Sequence, residues 1–333
     1  MGLTCGSGTR ALVTGAGGFI GSHLTEELVR RGVRVRAMTH YDSRAQRSNL
    51  EFLPRDLYAE IEFVAGDIRD PYFMMQATDQ TDVVFHLAAL IAIPYSYIAP
   101  VSYVETNVRG TLNVLEACRR TGVAKVVHTS TSECYGTALY RPIDEKHPLQ
   151  GQSPYSASKI GADKIAESFF LSFDLPVATL RPFNTYGPRQ SARAVTQTIL
   201  SQLLSGCDVL RLGSLEPERD LTYVSDTVAA FIAIAEKDGA TGQLINAGTG
   251  VAVTVGELAK LAMEVVGREV EIACDRDRVR PDRSEVMALI CNSEKAKALV
   301  GWEPHVSLRD GLSRCAEFVR EHPGLFKPDE YRV

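Results

Sequence analysis

The amino-acid sequence predicts an α/β fold, in which a parallel sheet is covered by helices on both faces. Three observations favour it. Short β-branched runs alternate with amphipathic helical stretches from residue 10 to residue 181, 45% of the 333 residues are hydrophobic, and only 23% are charged. Strand–helix–strand repeats of this kind form doubly wound parallel sheets. A chain of this length is expected to form one large domain or two closely joined ones.

The predicted elements follow one another in a regular order. Strands are expected at 11–14, 33–38, 61–67, 82–88, 125–130 and 176–181, and helices at 20–31, 108–121 and 157–171. Beyond residue 182, turns rich in Gly and Pro become frequent, and further helices are expected at 226–236 and 255–266. This change predicts a sheet domain at 1–181 and a smaller, mixed α/β domain at 182–333, some segments of which return to the sheet.

Charge and cysteine content exclude several classes of protein. The chain has 36 Lys and Arg against 41 Asp and Glu, a net charge of −5, and no basic block, so nucleic acid is not an expected partner. Seven cysteines without a CxxC pair argue against a disulfide framework and a zinc site, and they predict a reducing, cytoplasmic location. The apolar run 87–93 is far shorter than the roughly 20 residues that span a bilayer. Neither a metal nor a membrane segment is expected.

The sequence between the first strand and the first helix predicts a dinucleotide site. Gly15, Gly18 and Gly21 would let the backbone turn tightly, approach a pyrophosphate and pack the helix against its strand. Phe19 and Ile20 open that helix, whose N-terminal N–H groups favour an anion. A strand, a glycine loop and a helix in this order are typical of a Rossmann-type sheet that binds NAD or NADP.

The residues after the second and third strands bear on the choice of cofactor. His40 follows the second strand, where an acidic residue would usually meet the ribose hydroxyls, so a 2′-phosphate would not be repelled. His40 and Arg44 could contact that phosphate or simply be solvated loop residues. The hypothesis is that NADP binds at least as well as NAD. Asp67, beside Ile68 after the third strand, could meet the adenine amino group or belong to a turn.

A Tyr–Lys pair carries the strongest chemical signal. Tyr155 and Lys159 lie four residues apart, on one face of a helix, and Thr131-Ser132-Glu133 ends the preceding strand. The lysine charge and the positive nicotinamide would stabilise a tyrosinate. Lowering a phenol pKa from about 10 to near 7 requires roughly 4 kcal/mol. Tyr155 would then be a general base at neutral pH.

This combination resembles the extended short-chain dehydrogenase/reductase family over almost the whole chain. The resemblance implies that Thr131 hydrogen-bonds the substrate C4 hydroxyl, Tyr155 removes its proton and Lys159 holds the nicotinamide ribose, while the hydride goes to the nicotinamide. It also implies a homodimer formed through two sheet-flanking helices. Further matching cofactor residues are Leu87, Ala88, Ala89 and Asn107.

The same resemblance implies a nucleotide-diphosphate sugar as substrate. Asn184, Arg219 and Arg280 match positions that hold the pyrophosphate of such a sugar, and guanidinium groups suit a diphosphate. Ser96 lies in a stretch expected to line the sugar side of the cleft. Arg193 ends a segment, 184–193, that together with 148–155 looks most like the dehydratases acting on nucleotide-linked N-acetylglucosamine in legionaminic acid synthesis.

Glu133 points to a second chemical step. Epimerases of this family need only reversible oxidation at C4, whereas a 4,6-dehydratase also needs a base that removes the C5 proton while the C6 hydroxyl leaves. Ser132 stands where dTDP-glucose enzymes carry an acidic Asp, and GDP-mannose dehydratases have the Thr-Ser-Glu order seen here. Glu133 is therefore the leading candidate for the acid as well. Nucleotide-glucuronate decarboxylases share this order, so a decarboxylase or a 4-epimerase stays an alternative to the 4,6-dehydratase.

Overall fold

The computed structural model describes residues 3–278, 281 and 283–327. Strands and helices alternate in it as the sequence predicts. The strands are β1 (Arg10–Thr14), β2 (Arg34–Thr39), β3 (Glu62–Ala65), β4 (Val83–His86), β5 (Lys125–Thr129), β6 (Val177–Pro182), β7 (Thr185–Tyr186), β8 (Val209–Leu212), β9 (Glu218–Asp220), β10 (Thr222–Tyr223), β11 (Leu244–Ala247), β12 (Ala252–Thr254), β13 (Glu271–Cys274) and β14 (Ala288–Leu289). The α-helices are α1 (Phe19–Arg30), α2 (Arg55–Ala59), α3 (Pro71–Thr78), α4 (Ile93–Ile98), α5 (Pro100–Tyr103), α6 (Gly110–Thr121), α7 (Pro154–Phe173), α8 (Val195–Ser205), α9 (Val224–Glu236), α10 (Val255–Val266), α11 (Glu294–Val300) and α12 (Leu308–Glu321).

A parallel sheet forms the centre of the molecule. Among the described residues it has seven strands, in the order β11-β6-β5-β4-β1-β2-β3, which confirms the predicted doubly wound, Rossmann-type α/β class. The strand order reverses between β1 and β4, and sheets of this type bind ligands at that point, beyond the carboxyl ends of the strands. The sequence does not predict β11 as a strand. β11 pairs with β6 at one edge of the sheet, although the two strands are far apart in the sequence.

Hydrophobic clusters cover both faces of the sheet. The neighbours Leu12 and Val13 of β1 are both fully buried, and they face opposite clusters. Helices α1 and α9 pack together over one face, and α3, α6 and α7 pack together over the other. Because nearly every position of the central strands β1, β4 and β5 is buried, these strands read as largely apolar runs rather than as alternating ones.

The helix that carries the Tyr–Lys pair begins three residues earlier than predicted. Ser153 caps α7, its hydroxyl accepts a hydrogen bond from the Ser156 N–H, and Pro154 occupies the first turn. Pro at the first turn costs a helix no hydrogen bond, because that N–H has no partner in the helix. Tyr155 therefore belongs to the first turn, and Lys159 lies one turn further on the same face.

The helix predicted at 108–121 is longer and contains a widened turn. Helix α5, a π-helical turn over Val104–Arg109 and α6 follow one another without a break, and Gly122, at φ +73°, ends the run as predicted. π-helical turns are rare and are common at functional sites. Asn107 lies within this turn.

The C-terminal part combines helices with small sheets. Helices α8, α10 and α12 pack against one another, and β9 joins β12 and β14 in a sheet that has three strands among the described residues. Division of the chain near residue 181 stays a prediction. Across the ranges that the structure describes, no helix has the length and apolar character needed to cross a membrane.

Candidate active site

The glycine loop after β1 is shaped for close approach of a ligand to the backbone. Gly15 has φ +71°, and a Cβ there would lie 2.8 Å from the Ala88 nitrogen. A Cβ on Gly21 would overlap the Gly15 carbonyl oxygen, so the helix packs on the loop without room for a side chain. Gly18 caps α1 without a side-chain hydrogen bond, which leaves the first N–H groups, those of Phe19 and Ile20 included, at the open end of the helix. The loop fits a dinucleotide pyrophosphate.

A chain of hydrogen bonds holds the β4 end beside this loop. The Thr14 hydroxyl accepts from the Leu87 and Ala88 N–H groups (3.1 and 3.2 Å) and lies 2.9 Å from His86 Nδ1, while His86 Nε2 lies 3.0 Å from the Thr111 hydroxyl. Since Thr111 donates to the Asn107 carbonyl, His86 Nε2 carries the proton and Nδ1 accepts from Thr14. Burial lowers the pKa of His86, so the ring stays neutral.

Asn107 is tied to the protein on both sides of its amide. Its Oδ1 accepts from the Leu90 N–H (2.8 Å), and its Nδ2 donates to the Leu90 carbonyl (2.9 Å) and to the Ser158 hydroxyl (2.9 Å). The sequence predicts a cofactor contact at this position. In the structure, Asn107 fixes the loop after Ala89 against α7, next to the Tyr–Lys pair, and the cofactor contact stays a prediction.

Where the adenosine is expected to bind, Asp67 is already hydrogen-bonded to Arg69. Its carboxylate accepts from the Arg69 side chain (2.5 Å from Nη2) and from the Arg69 N–H (2.8 Å). The hydrogen bonds from Arg69 hold the pKa of Asp67 below its ordinary value, and the nearby His40 contributes. His40 is exposed after β2, and Ile68 is buried beneath Gly110. Asp67 would have to share its oxygens between Arg69 and an adenine.

Tyr155 and Lys159 are both buried at the carboxyl end of β5. Tyr155 is 7% exposed, and Lys159 Nζ donates to the Thr129 carbonyl over 2.6 Å. Burial raises the pKa of the Tyr155 phenol and lowers the pKa of Lys159, whereas an interaction with the Thr131 side chain acts to lower the phenol pKa. The protein environment alone therefore favours a protonated phenol. Positive charge close to the ring has to supply more than the roughly 4 kcal/mol that the sequence argument requires.

Residues 131–133 form a tight turn directly in front of the phenol. The Thr131 hydroxyl accepts from the Glu133 N–H at 3.3 Å and caps the 3₁₀ turn that runs over Ser132–Tyr135. Ser132 and Glu133 are 2% and 8% exposed, and the negative charge of Glu133 contributes to the raised pKa of Tyr155. Among the residues that the structure describes, no side chain hydrogen-bonds or ion-pairs with the Glu133 carboxylate. Within the described ranges, the Glu133 carboxylate is therefore not occupied by a structural hydrogen bond or ion pair.

The predicted substrate contacts divide into two groups. Asn184 has a buried Oδ1 with no hydrogen-bond partner among the described residues, and Arg219 donates to Glu285 Oε1 (3.0 Å). Arg193 is exposed, and its charge lowers the pKa of Tyr103 against the larger effect of burial, so it lies close to the cleft. These three stay predicted contacts.

Of the other two predicted contacts, the structure describes only Ser96. Ser96 is fully buried, and its hydroxyl donates to the Ile93 carbonyl at 2.6 Å because it lies inside the short helix α4. Arg280 lies outside the described residues.

Some residues at the site escaped the sequence reasoning. Asp163 lies one helical turn after Lys159 and binds Arg181, and Glu285 binds Arg219. Tyr155, Lys159 and Asp163 follow one another at intervals of four residues, and this spacing could have identified Asp163 from the sequence. Glu285 is 66 residues away from Arg219 along the chain, and no local pattern indicates that contact.

Comparison with known proteins places this geometry in a family. The model of the GDP-mannose 4,6-dehydratase family matches residues 12–315. The chain belongs to this family. It is an enzyme of the extended short-chain dehydrogenase/reductase class, as the sequence resemblance implied.

The relatives of this chain differ from one another in activity. The dTDP-D-glucose 4,6-dehydratase of Homo sapiens is 31% identical over 96% of this chain and 93% of its own length. The UDP-glucose 4-epimerase of Mycolicibacterium smegmatis is 34% identical over 93% of this chain and 98% of its own. The solved structure of DesIV, a dTDP-glucose 4,6-dehydratase from Streptomyces venezuelae with NAD and TYD bound, has a TM-score of 0.85 and 30% identity, covering 96% of this chain and 99% of that one.

Proposed function

We propose that this enzyme is a nucleotide-sugar 4,6-dehydratase, which converts an NDP-hexose to its 4-keto-6-deoxy product. The observation that carries the proposal is the position of Glu133, an acidic residue that is 8% exposed and lies at the Tyr155 phenol in the turn capped by Thr131. Oxidation and reduction at C4 need no such group. Elimination of water across C5 and C6 needs a base at C5.

Each step of the proposed reaction is assigned to particular residues. Thr131 orients the C4 hydroxyl, and Tyr155 takes its proton with Lys159 charged nearby. A nicotinamide dinucleotide whose pyrophosphate is held by the Gly15–Gly21 loop would supply hydride uptake from C4 and its return to C6, which is completed by a proton added at C5. Glu133 then removes the C5 proton, made acidic by the C4 ketone, and gives a proton to the departing C6 hydroxyl. Asn184, Arg219 and Arg280 are proposed to hold the diphosphate.

The proposed sugar substrate and the proposed preference for NADP rest on sequence observations. Residues 148–155 and 184–193 favour nucleotide-linked N-acetylglucosamine as the first substrate to test. NADP is proposed to bind at least as well as NAD, since exposed His40 replaces a carboxylate at the adenosine ribose. Structural relatives bind NAD, so a clear preference for NAD in titrations of the stripped protein would reject this point.

A homodimer and a cytoplasmic location are also proposed. Val101, Val104 and Leu112 form an exposed apolar stripe on the α5–α6 helical run (72%, 52% and 40% exposed), and a second copy of the chain would cover it. A Val104→Lys change should convert the dimer to a monomer in light scattering, and a wild-type chain that is already monomeric would refute this. The seven cysteines, which all lie in the described part of the chain, are free thiols, in keeping with a reducing compartment.

The reaction is tested with nucleotide sugars in D2O. Mass spectrometry should show loss of water, and NMR should show deuterium incorporated during the reaction. Loss of CO2 or inversion at C4 without water loss would reject the dehydratase in favour of the decarboxylase or epimerase seen among relatives.

Variants of the turn residues assign the base. Glu133→Gln should still reduce bound cofactor but stop before water loss, while Ser132→Ala should stay within about tenfold of the wild-type rate. Glu116→Gln, which removes a carboxylate from the surface of α6, is the matched control and should behave as wild type. Normal turnover by Glu133→Gln would show that the base is another residue.

A further inference from the structure

A cluster of buried polar side chains lies directly behind the catalytic pair, and the proposed chemistry does not use it. At its centre is Asp163, 7% exposed and one helical turn after Lys159 on α7. Ser130 Oγ donates to Asp163 Oδ2 over 2.5 Å, and Arg181 Nη2 donates to the same oxygen over 2.6 Å. His128 Nε2 lies 3.0 Å from Oδ1. One carboxylate thus collects three donors from two neighbouring strands.

The cluster ties the end of β5 to β6 and α7. Arg181 Nε donates to Ser130 Oγ over 3.0 Å, and the guanidinium lies 4.4 Å from the ring centroid of Tyr135. Lys159 Nζ bonds the Thr129 carbonyl, one residue before Ser130. Because Thr131 follows directly, the hydroxyl that faces the phenol depends on the position in which this cluster holds the strand end.

The charges in the cluster cancel only in part. Burial opposes ionisation of Asp163, but the His128 hydrogen bond and the Arg181 charge hold the pKa of Asp163 below its usual range. Burial lowers the pKa of His128, so that ring is neutral. Arg181 and Lys159 carry one positive charge each, and with Asp163 ionised one net positive charge remains next to the phenol. Burial lowers the pKa of Lys159, and the Asp163 charge opposes that shift.

Other titratable groups lie near Lys159 on β4 and in the 3₁₀ turn. Burial lowers the pKa of His86 on β4, and it raises the pKa of Cys134 in the 3₁₀ turn to about 12, so both are neutral. Glu133 faces the phenol from the same turn. Asp163 is therefore the negative group placed on the lysine side of the pair.

We infer that Asp163 is a positioning residue for the Tyr155–Lys159 pair. Its carboxylate offsets the buried Arg181 charge, so that Lys159 stays charged, and it fixes the strand end that presents Thr131. The inference rests on the base role proposed for Tyr155. Without the carboxylate, two positive groups would share one buried region, and repulsion would favour loss of the Lys159 proton.

A charge-counting series of variants tests this. The cluster formed by Asp163, Arg181 and Lys159 has a net charge of +1 in the wild type, +2 in Asp163→Asn, 0 in Arg181→Met and +1 in the double variant. Single-turnover reduction of bound cofactor by nucleotide sugar is followed against pH. The alkaline limb should move to lower pH by about one unit in Asp163→Asn, to higher pH in Arg181→Met, and back to the wild-type position in the double variant.

The matched control is Glu167→Gln, which removes an exposed carboxylate one turn further along α7 and should leave both limbs in place. A purely structural role predicts a lower rate with unmoved limbs in every variant, and that result would overturn the inference. If Asp163→Asn does not fold, Arg181→Met and the double variant carry the test: equal alkaline limbs in these two would overturn it.

A measurement without turnover separates this inference from the proposed function. The ¹³Cε resonance of Lys159, assigned with Lys159→Met, is titrated in lysine-labelled, NAD-saturated protein without sugar. It should titrate at lower pH in Asp163→Asn than in wild type, and an unchanged titration would overturn the inference. If the shift is found while the sugar product is not a 4-keto-6-deoxy sugar, the inference stands and only the dehydratase assignment falls.

Discussion

Substituting Gly15 by Ala probes how closely the glycine loop approaches the β4 end. At φ +71°, an L-residue costs roughly 1–2 kcal/mol. The new Cβ would also lie 2.8 and 2.9 Å from the Ala88 nitrogen and Cα, which are backbone atoms that no rotamer change can move. Such overpacking costs roughly 1–3 kcal/mol. The free energy of unfolding should therefore fall by roughly 2–5 kcal/mol.

Gly122→Ala is the matched control. Gly122 has φ +73°, nearly the same as Gly15, but a Cβ there would meet no atom within 4 Å. Only the backbone cost of roughly 1–2 kcal/mol applies. Urea unfolding measures both variants, and calorimetric titration with NAD and NADP measures the site.

Cofactor affinity separates the two variants further. Gly15→Ala should weaken dinucleotide binding at least tenfold, which corresponds to about 1.4 kcal/mol, because Ala88 must move, and Gly122→Ala should leave it unchanged. Equal stability and equal dinucleotide affinity in the two variants would refute the reasoning that this loop and Ala88 form one tightly packed cofactor wall.

Two further predictions concern the surroundings of the site. Asn107→Ala removes three hydrogen bonds to Leu90 and Ser158 and should lower the free energy of unfolding by roughly 2–4 kcal/mol; a loss below about 1 kcal/mol in urea would contradict the role given to Asn107. Burial and the Arg189 charge lower the pKa of His23 to about 4, below the ordinary 6.5, so stability present above pH 6.5 is lost as pH falls towards 4. The loss is about 3 kcal/mol, and His23→Gln should flatten the stability profile in this window; an unchanged slope would speak against a buried, neutral His23.

Features set by neighbouring residues were predictable from the sequence. The glycine loop depends on φ values and on space at single positions, and the alignment of Tyr155 with Lys159 depends on the helical repeat. The family and the α/β class, both predicted, are confirmed by the family match and by the parallel sheet. The roles given to individual site residues stay predictions.

Helix ends were less predictable, because they depend on caps as well as on periodicity. The hydrophobic pattern of α7 starts at Ala157, but the Ser153 cap and Pro154 move the start so that Tyr155 lies in the first turn. The π-helical turn around Asn107 has no signature in the apolar spacing. For α7, the hydrogen bond of one capping side chain decided the boundary.

The sequence by itself determined the parallel sheet, the tight glycine loop and the alignment of Tyr155 with Lys159, because each depends on interactions within a few residues or on strand–helix alternation. Only the tertiary structure decided that Ser96 is buried, that β11 completes the sheet and that Asp163 meets Arg181 behind the pair. These contacts join residues far apart in the chain or depend on which side of a short helix is covered. The spacing of residues in the sequence does not indicate such contacts, because they form only when elements such as β5, β6 and α7 pack together.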